Sequence, residues 1–431
     1  MTRRRAKSCR AADRRPDGAG LTAFALRLAK HLEPAEAEAD GGGGGGGGGG
    51  ANLVFSPLSI YAALALVAAG AGGGTLQELL DALGARSLGE LAAFARRAAE
   101  RALADRSRSG GPAVAFSCGV WHDASWALRP AFRAVAAASF KAQARAVDFR
   151  RHPGKAIDAI NGWVAAATNN LIDSIVDSSS VNAGTSLVLG NAIYFNGRWA
   201  EPFAAADTIR DRFYRLDGSA AAARFMSSTR SQLIAVHDGY KVLKLPYRSS
   251  SPAATGGGEL PRYAMCVFLP DWHDGLPALV DRIAGSAGFR RDNLPSKRVP
   301  VGAFRLPRFR LAFSGSMKKA LKAMGIRAVF DDDADLSGMA KCDDGDDGDA
   351  VAMPLFVSDV RHKAVLEVNE EGTVAAAATV CEMRCTAGPS PRKPPETVNF
   401  VADHPFVFFV IEEVSGAIVF VGQVLDPSSS C

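Results

Sequence analysis

The sequence predicts an α+β fold, and three observations carry that reading. Apolar residues at helical spacing come first along the chain; strand-like runs then mix irregularly with helices; and neither regular βαβ alternation nor an internal repeat is visible. The length, 431 residues, would allow two or three domains, but large mixed folds use such a length as one unit. Leu21 to Leu32 has helical spacing and stops before Pro34. Residues 41–50 are ten consecutive glycines, a composition no packed core uses, so they are expected to be a flexible insertion between the first two helices. Ser56-Pro57 then opens a strongly apolar helix through Ala69, with serine suited to the cap and proline to the first turn. Further helices are expected at Thr75–Leu83 and Ala156–Thr168. Strands are expected at Val114–Trp121, Ser186–Tyr194, Tyr240–Pro246, Tyr263–Leu269 and Val299–Phe313. Ala364–Val368 alternates apolar and polar residues like a half-buried strand, and Phe406–Ile411 is a continuous apolar run like a fully buried one.

Composition narrows the function classes. With 48% apolar and 22% charged residues, the chain can bury a sizeable core. No apolar run approaches the length of a membrane span, so no membrane association is expected. The formal charge of +5 hints at nucleic acid, but residues 1–20 alone hold seven Lys or Arg against Asp13 and Asp17, which is the whole excess. The remainder is neutral overall, so no nucleic-acid partner is expected. The basic tail lacks the apolar run of a secretory signal. Seven cysteines, an odd number without metal-ligand pairing, suit a reducing compartment, and a cytoplasmic or nuclear location is expected. There is no Gly-x-Ser-x-Gly elbow, His-Glu-x-x-His, P-loop or Rossmann fingerprint, so neither an enzyme nor a cofactor is expected. The acidic loop 343–349 lacks the ligand spacing and closing glutamate of an EF-hand, and no metal is expected.

The most informative segment runs Glu370-Glu371-Gly372-Thr373-Val374-Ala375-Ala376-Ala377-Ala378-Thr379. It joins two strand-like regions, is built of small residues from Gly372 to Ala378, and meets no proline until Pro389. Such a segment can stand as a loop and still enter a sheet. As a strand it would place Thr373, Ala375, Ala377, Thr379, Cys381 and Met383 on one face, all small or apolar. The other face would carry Glu382 and Arg384.

This segment, with His362-Lys363-Ala364 and Glu367-Val368-Asn369 before it, resembles the hinge of the serpin family. Phe400-Val401-Ala402-Asp403-His404-Pro405-Phe406 and Gly416–Gly422 resemble the family's C-terminal motifs. Asn52–Ile60 is similar to the start of its buried second helix, Asn191–Phe203 to its central strand and tryptophan, and Asp335–Met339 to a third motif. The wording is most like that of plant serpins of the Z type. The resemblance spans residues 21–427 and implies one serpin domain there: a large central mixed sheet, surrounding helices and an exposed reactive-centre loop at 372–399. Residues 1–20 would be a disordered basic tail and 428–431 a short C-terminal tail.

The resemblance also implies a mechanism. A serine or cysteine protease would cleave the loop and form a covalent acyl-enzyme, and the freed segment would insert into the central sheet of a monomeric inhibitor. Family spacing places the scissile bond at Thr386-Ala387, with Arg384 and Arg392 as alternatives. Pro389 and Pro391 would enter the inserting strand if Arg392 were used, weakening the trap and favouring the alternative of a non-inhibitory substrate or binding protein. Val374 replaces the family's usual glutamate on the outward face. By motif match, Ser56, Ser59, Asn191 and His362 would form a polar cluster where the central strands part. Trp199, Glu370 and Arg308 would mark the loop's entry point, with a Glu370–Arg308 ion pair expected.

Overall fold

A computed structural model describes residues 19–32, 51–249, 260–285, 293–342, 354–373 and 396–429. The helices named below are α1 (Ala19–His31), α2 (Pro57–Ala68), α3 (Gly73–Leu83), α4 (Leu88–Arg101), α5 (Pro130–Phe140), α6 (Pro153–Ala167) and α7 (Leu276–Ala284). The strands in the first half are β1 (Leu53–Phe55), β2 (Ala113–Asp123), β3 (Trp126–Leu128), β4 (Gln143–Val147), β5 (Leu187–Arg198), β6 (Ile209–Tyr214), β7 (Ala220–Ser227), β8 (Gln232–His237) and β9 (Tyr240–Pro246). There follow β10 (Tyr263–Pro270), β11 (Arg298–Val299), β12 (Val301–Pro307), β13 (Phe309–Ser316), β14 (Ala340–Cys342), β15 (Val357–Val368) and β16 (Gly372–Thr373). The last are β17 (Val398–Val401), β18 (Phe406–Glu412) and β19 (Ala417–Val424).

Three main sheets result. The central one runs β13-β15-β5-β2-β4, with β16 attached to β5. Within it β15 and β5 are parallel, while β13–β15 and β5–β2 are antiparallel. A seven-stranded antiparallel sheet runs β1-β19-β18-β10-β9-β8-β11. A smaller sheet runs β17-β12-β7-β6, and β14 pairs with β3.

Burial explains the arrangement. Every residue of α2 is buried, as expected of a helix that is apolar all round, and it lies between the central and seven-stranded sheets. Ser56 caps it, its hydroxyl accepting from the Ser59 N–H. Strand β5 is buried on both faces. Leu187, Leu189, Ile193 and Phe195 join the main core, while Val188, Ala192 and Tyr194 join a second core with Trp121, Phe149 and Ile160 of α6.

One expected element divides. Val299–Phe313 is not a single strand: Val299 ends β11 and the rest is β12 and β13, the three entering three different sheets. The β12–β7 pairing runs through Pro307 to the Arg308 N–H, which donates to the Arg224 carbonyl at 2.8 Å, and from Phe309 the chain pairs with β15 instead. The inward residues change parity there, from Phe304 and Leu306 to Phe309, Leu311 and Phe313. The other expected helices and strands are present, most with longer ends.

Candidate functional site at the opening of the central sheet

Beyond Val368 the chain reverses over Asn369–Gly372. The Asn369 N–H donates to the Gly372 carbonyl at 2.8 Å, and the Asn369 Oδ1 accepts from the backbone N–H of Glu371 and Gly372 at 3.1 and 3.3 Å. This is a side-chain-stabilised turn of the kind asparagine favours. Gly372 has φ +150°, and a Cβ there would lie 2.1 Å from the Gly197 carbonyl oxygen, so only glycine fits. Gly372 and Thr373 then pair antiparallel with Arg198 and Gly197 of β5. The first two residues beyond the turn already lie against the strand on which a longer insertion would build.

The entry point is held by several contacts. Trp199 donates from its indole Nε1 to the Asn369 carbonyl and from its backbone N–H to the Glu371 carbonyl, both at 2.9 Å. Its ring stacks on Tyr247 with centroids 4.6 Å apart, and the Tyr247 hydroxyl meets Thr373 Oγ1 at 2.8 Å. The Glu370 carbonyl accepts from the Phe203 N–H at 2.9 Å. Its carboxylate accepts from Thr208 Oγ1 at 2.7 Å and from Arg308 Nη1 at 3.4 Å. The Glu370–Arg308 pair is therefore present, but the threonine contact is the shorter one.

The second group lies down the sheet. Ser56, Ser59, Asn191 and His362 are all buried and joined to one another. The Ser56 N–H donates to His362 Nε2 at 3.0 Å. Nε2 is thus the acceptor, so Nδ1 carries the hydrogen and donates to Asn191 Oδ1. Ser59 Oγ lies 3.0 Å from the Ser56 carbonyl and 3.2 Å from Asn191 Oδ1. Burial pushes the His362 pKa down to about 3, keeping the ring neutral. Asn191 Nδ2 is buried without a hydrogen-bond partner. His362 and Asn191 are directly paired across β15 and β5, so the cluster sits where these parallel strands meet.

The fold thus assembles the conformational-control residues read from the sequence into two groups on one seam. Val374, Ala375, Ala376, Ala377, Ala378, Thr379, Arg384, Thr386, Ala387 and Arg392 lie outside the described residues. Sequence reasoning missed Thr208, just before β6, and Tyr247, just after β9, which close the entry point and carry no local motif of their own.

Residues 19–427 match the family model described as Serpin (serine protease inhibitor). The chain belongs to the serpin family. It is 48% identical to Serpin-Z2A of Oryza sativa subsp. japonica over 441 residues, covering 97% of this chain and 99% of the relative. It is 38% identical to Serpin-Z1C of Triticum aestivum over 408 residues, covering 94% and 95% of the two. Among solved structures, it is similar to Arabidopsis AtSerpin1 in its native stressed conformation, with a TM-score of 0.81, 32% identity and coverage of 95% and 98%. The serpin fold, with its α+β make-up and multi-stranded sheet, is the one expected from the sequence.

Proposed function

We propose that this serpin inhibits serine or cysteine endopeptidases as a monomer, through a covalent complex completed by insertion of the cleaved loop between β15 and β5. The observation that carries the reading is the short strand Gly372–Thr373, already antiparallel to β5 above a seam where β15 and β5 still pair directly. Extending its register places Ala375, Ala377 and Thr379 opposite Phe195, Ile193 and Asn191 of β5. The bridge Asn369–Gly372 extends in the same way to set Thr379 opposite His362 of β15. Alanines fit that packed interior where longer side chains would not. Each parallel pairing lost would be replaced by two antiparallel ones, so the cleaved chain has a more favourable arrangement available. About 15 inserted residues would span ~50 Å, enough to carry an attached protease along the molecule.

The chemistry belongs to the protease. Its serine Oγ or cysteine Sγ bonds to the carbonyl carbon of the scissile residue, and the peptide C–N bond breaks. The protease histidine passes the nucleophile's proton to the departing amine, leaving an ester or thioester. We place the bond at Thr386-Ala387, with Arg384 and Arg392 as alternatives. We also propose a reducing cytoplasmic or nuclear location, supported by the odd number of cysteines, seven, without metal-ligand pairing.

Incubation with trypsin, an elastase and papain, followed by denaturing electrophoresis, tests the reading. A covalent adduct is expected, and the first residue of the released C-terminal peptide fixes the bond. Clean cleavage without adduct by all three overturns the inhibitory reading in favour of a substrate role.

A further inference from the structure

The seven histidines are scattered through the sequence, and the fold brings two of them together. His273 lies in the turn after β10, and Asp403-His404 connects β17 to β18. One ligand atom from each of His273, Asp403 and His404 falls within 4.8 Å of the other two. His404 is buried, Asp403 half-buried and His273 exposed, which gives the cluster a fixed floor and an open side.

The hydrogen bonding of His404 is informative. Its Nε2 lies 2.8 Å from the Pro270 carbonyl oxygen. A carbonyl only accepts, so Nε2 carries the hydrogen, and in the neutral ring Nδ1 presents its lone pair. That lone pair faces Asp403 Oδ1 at 2.8 Å. Two electron-rich atoms so close need a positive charge between them, either a proton or a metal ion. A ring N–H fixed by a backbone carbonyl is also how metal-binding imidazoles are commonly oriented. The His273 ring lies 29° from parallel to His404 with centroids 4.7 Å apart and stacks on Tyr214 at 5.0 Å, and rotation of this exposed ring would bring its in-plane lone pair onto the point that His404 Nδ1 faces. The turn holding His273 is itself fixed. The Asp271 N–H donates to the Gly239 carbonyl at 3.0 Å, and Lys241 Nζ pairs with the Asp271 carboxylate at 2.9 Å.

We propose that His273, Asp403 and His404 form a binding site for a divalent transition-metal ion of the zinc class. Two imidazole nitrogens and one carboxylate oxygen form a three-ligand set that leaves a position for water, whereas calcium and magnesium prefer oxygen donors throughout. The ion would join the chain just after β17 to the turn after β10, linking the four-stranded and seven-stranded sheets. Among the described residues β17 is an edge strand of four residues paired only with β12, and it follows the distal end of the loop directly. The metal would therefore fasten that end of the loop. The site does not depend on inhibition, and its test reads binding alone.

Chelator-treated full-length protein is titrated with Co²⁺ while visible absorption and Tm are followed. Saturation at one equivalent is expected, with d–d bands, no thiolate charge-transfer band, and a Tm raised by a few degrees in excess metal. His273→Gln, at the surface, is expected to abolish the bands and the Tm rise while leaving the metal-free Tm in place. Asp403→Asn is expected to weaken binding by at least about tenfold. Absence of saturable bands would mean that only a proton sits between Asp403 and His404, and would overturn the proposal. A thiolate band, or binding unchanged in His273→Gln, would place the metal elsewhere and overturn it equally.

Discussion

Gly372 shows how tightly single residues set the entry point. Its positive φ and the 2.1 Å approach that a Cβ would make to the Gly197 oxygen leave no room for a side chain. Gly372→Ala is expected to expel residues 372–373 from β5 at a cost of about 1–3 kcal/mol. Hydrogen exchange at the Gly197 and Trp199 amides would rise; unchanged protection would contradict the steric argument. Glu370→Ala removes acceptors from Thr208 and Arg308, a loss of about 1–2 kcal/mol with the half-exposed arginine contributing least. Faster polymer formation on warming is expected, and an unaltered rate would mean that Glu370 does not restrain the loop. His362 makes the seam sensitive to acid. Its pKa falls from 6.5 to about 3 on folding, so the unfolded chain binds more protons between these values. The stabilising contribution is complete above pH 6.5 and is lost as pH falls toward 3, by about 1.4 kcal/mol per unit. At pH 5 this amounts to about 2 kcal/mol, and His362→Gln should flatten the slope of denaturation free energy against pH; an unchanged slope would assign the effect to other groups.

At the scale of elements, the seam between β15 and β5 sets the requirement on the inserting strand. The register puts Thr379 between Asn191 and His362, where Asn191 Nδ2 has no partner in the uninserted structure. A threonine hydroxyl suits that position; an arginine would bury a charge and overfill the space. Thr379→Arg is expected to shift the outcome of protease attack from adduct to cleavage by at least about tenfold, the effect of ~1.4 kcal/mol on the insertion barrier. Undiminished adduct would show that the register is wrong. The strand β5 and helix α2 were legible because long apolar runs and a Ser-Pro start have few other interpretations. Helix α4 was not read, because its buried face is Leu91, Ala95, Ala98 and Ala99, and alanine contributes little contrast between faces. Its start was nevertheless signalled by Ser87 three residues before Glu90, whose N–H the Ser87 hydroxyl accepts. The division of Val299–Phe313 was likewise written in the parity change at Pro307-Arg308, which a search for long apolar stretches passes over.

For the whole molecule, motifs disclosed the seam, but only folding disclosed what closes it. Ser56, Asn191 and His362 stood in recognisable words, whereas Thr208, Tyr247 and His273 acquire their partners from remote parts of the chain. The path of the C-terminal portion has its own consequence. Residues following the loop supply β17 at one edge of the small sheet, and then β18 and β19, which lie inside the seven-stranded sheet between β10 and β1. Phe406, Phe408, Val410, Phe420 and Val424 are fully buried there. A cut in the loop therefore divides the polypeptide without dividing the particle: the nicked protein should elute as one body under native conditions and separate into two fragments only when denatured. Proteolysis here acts less like removal of a part than like release of a latch, with both pieces still seated in the same frame.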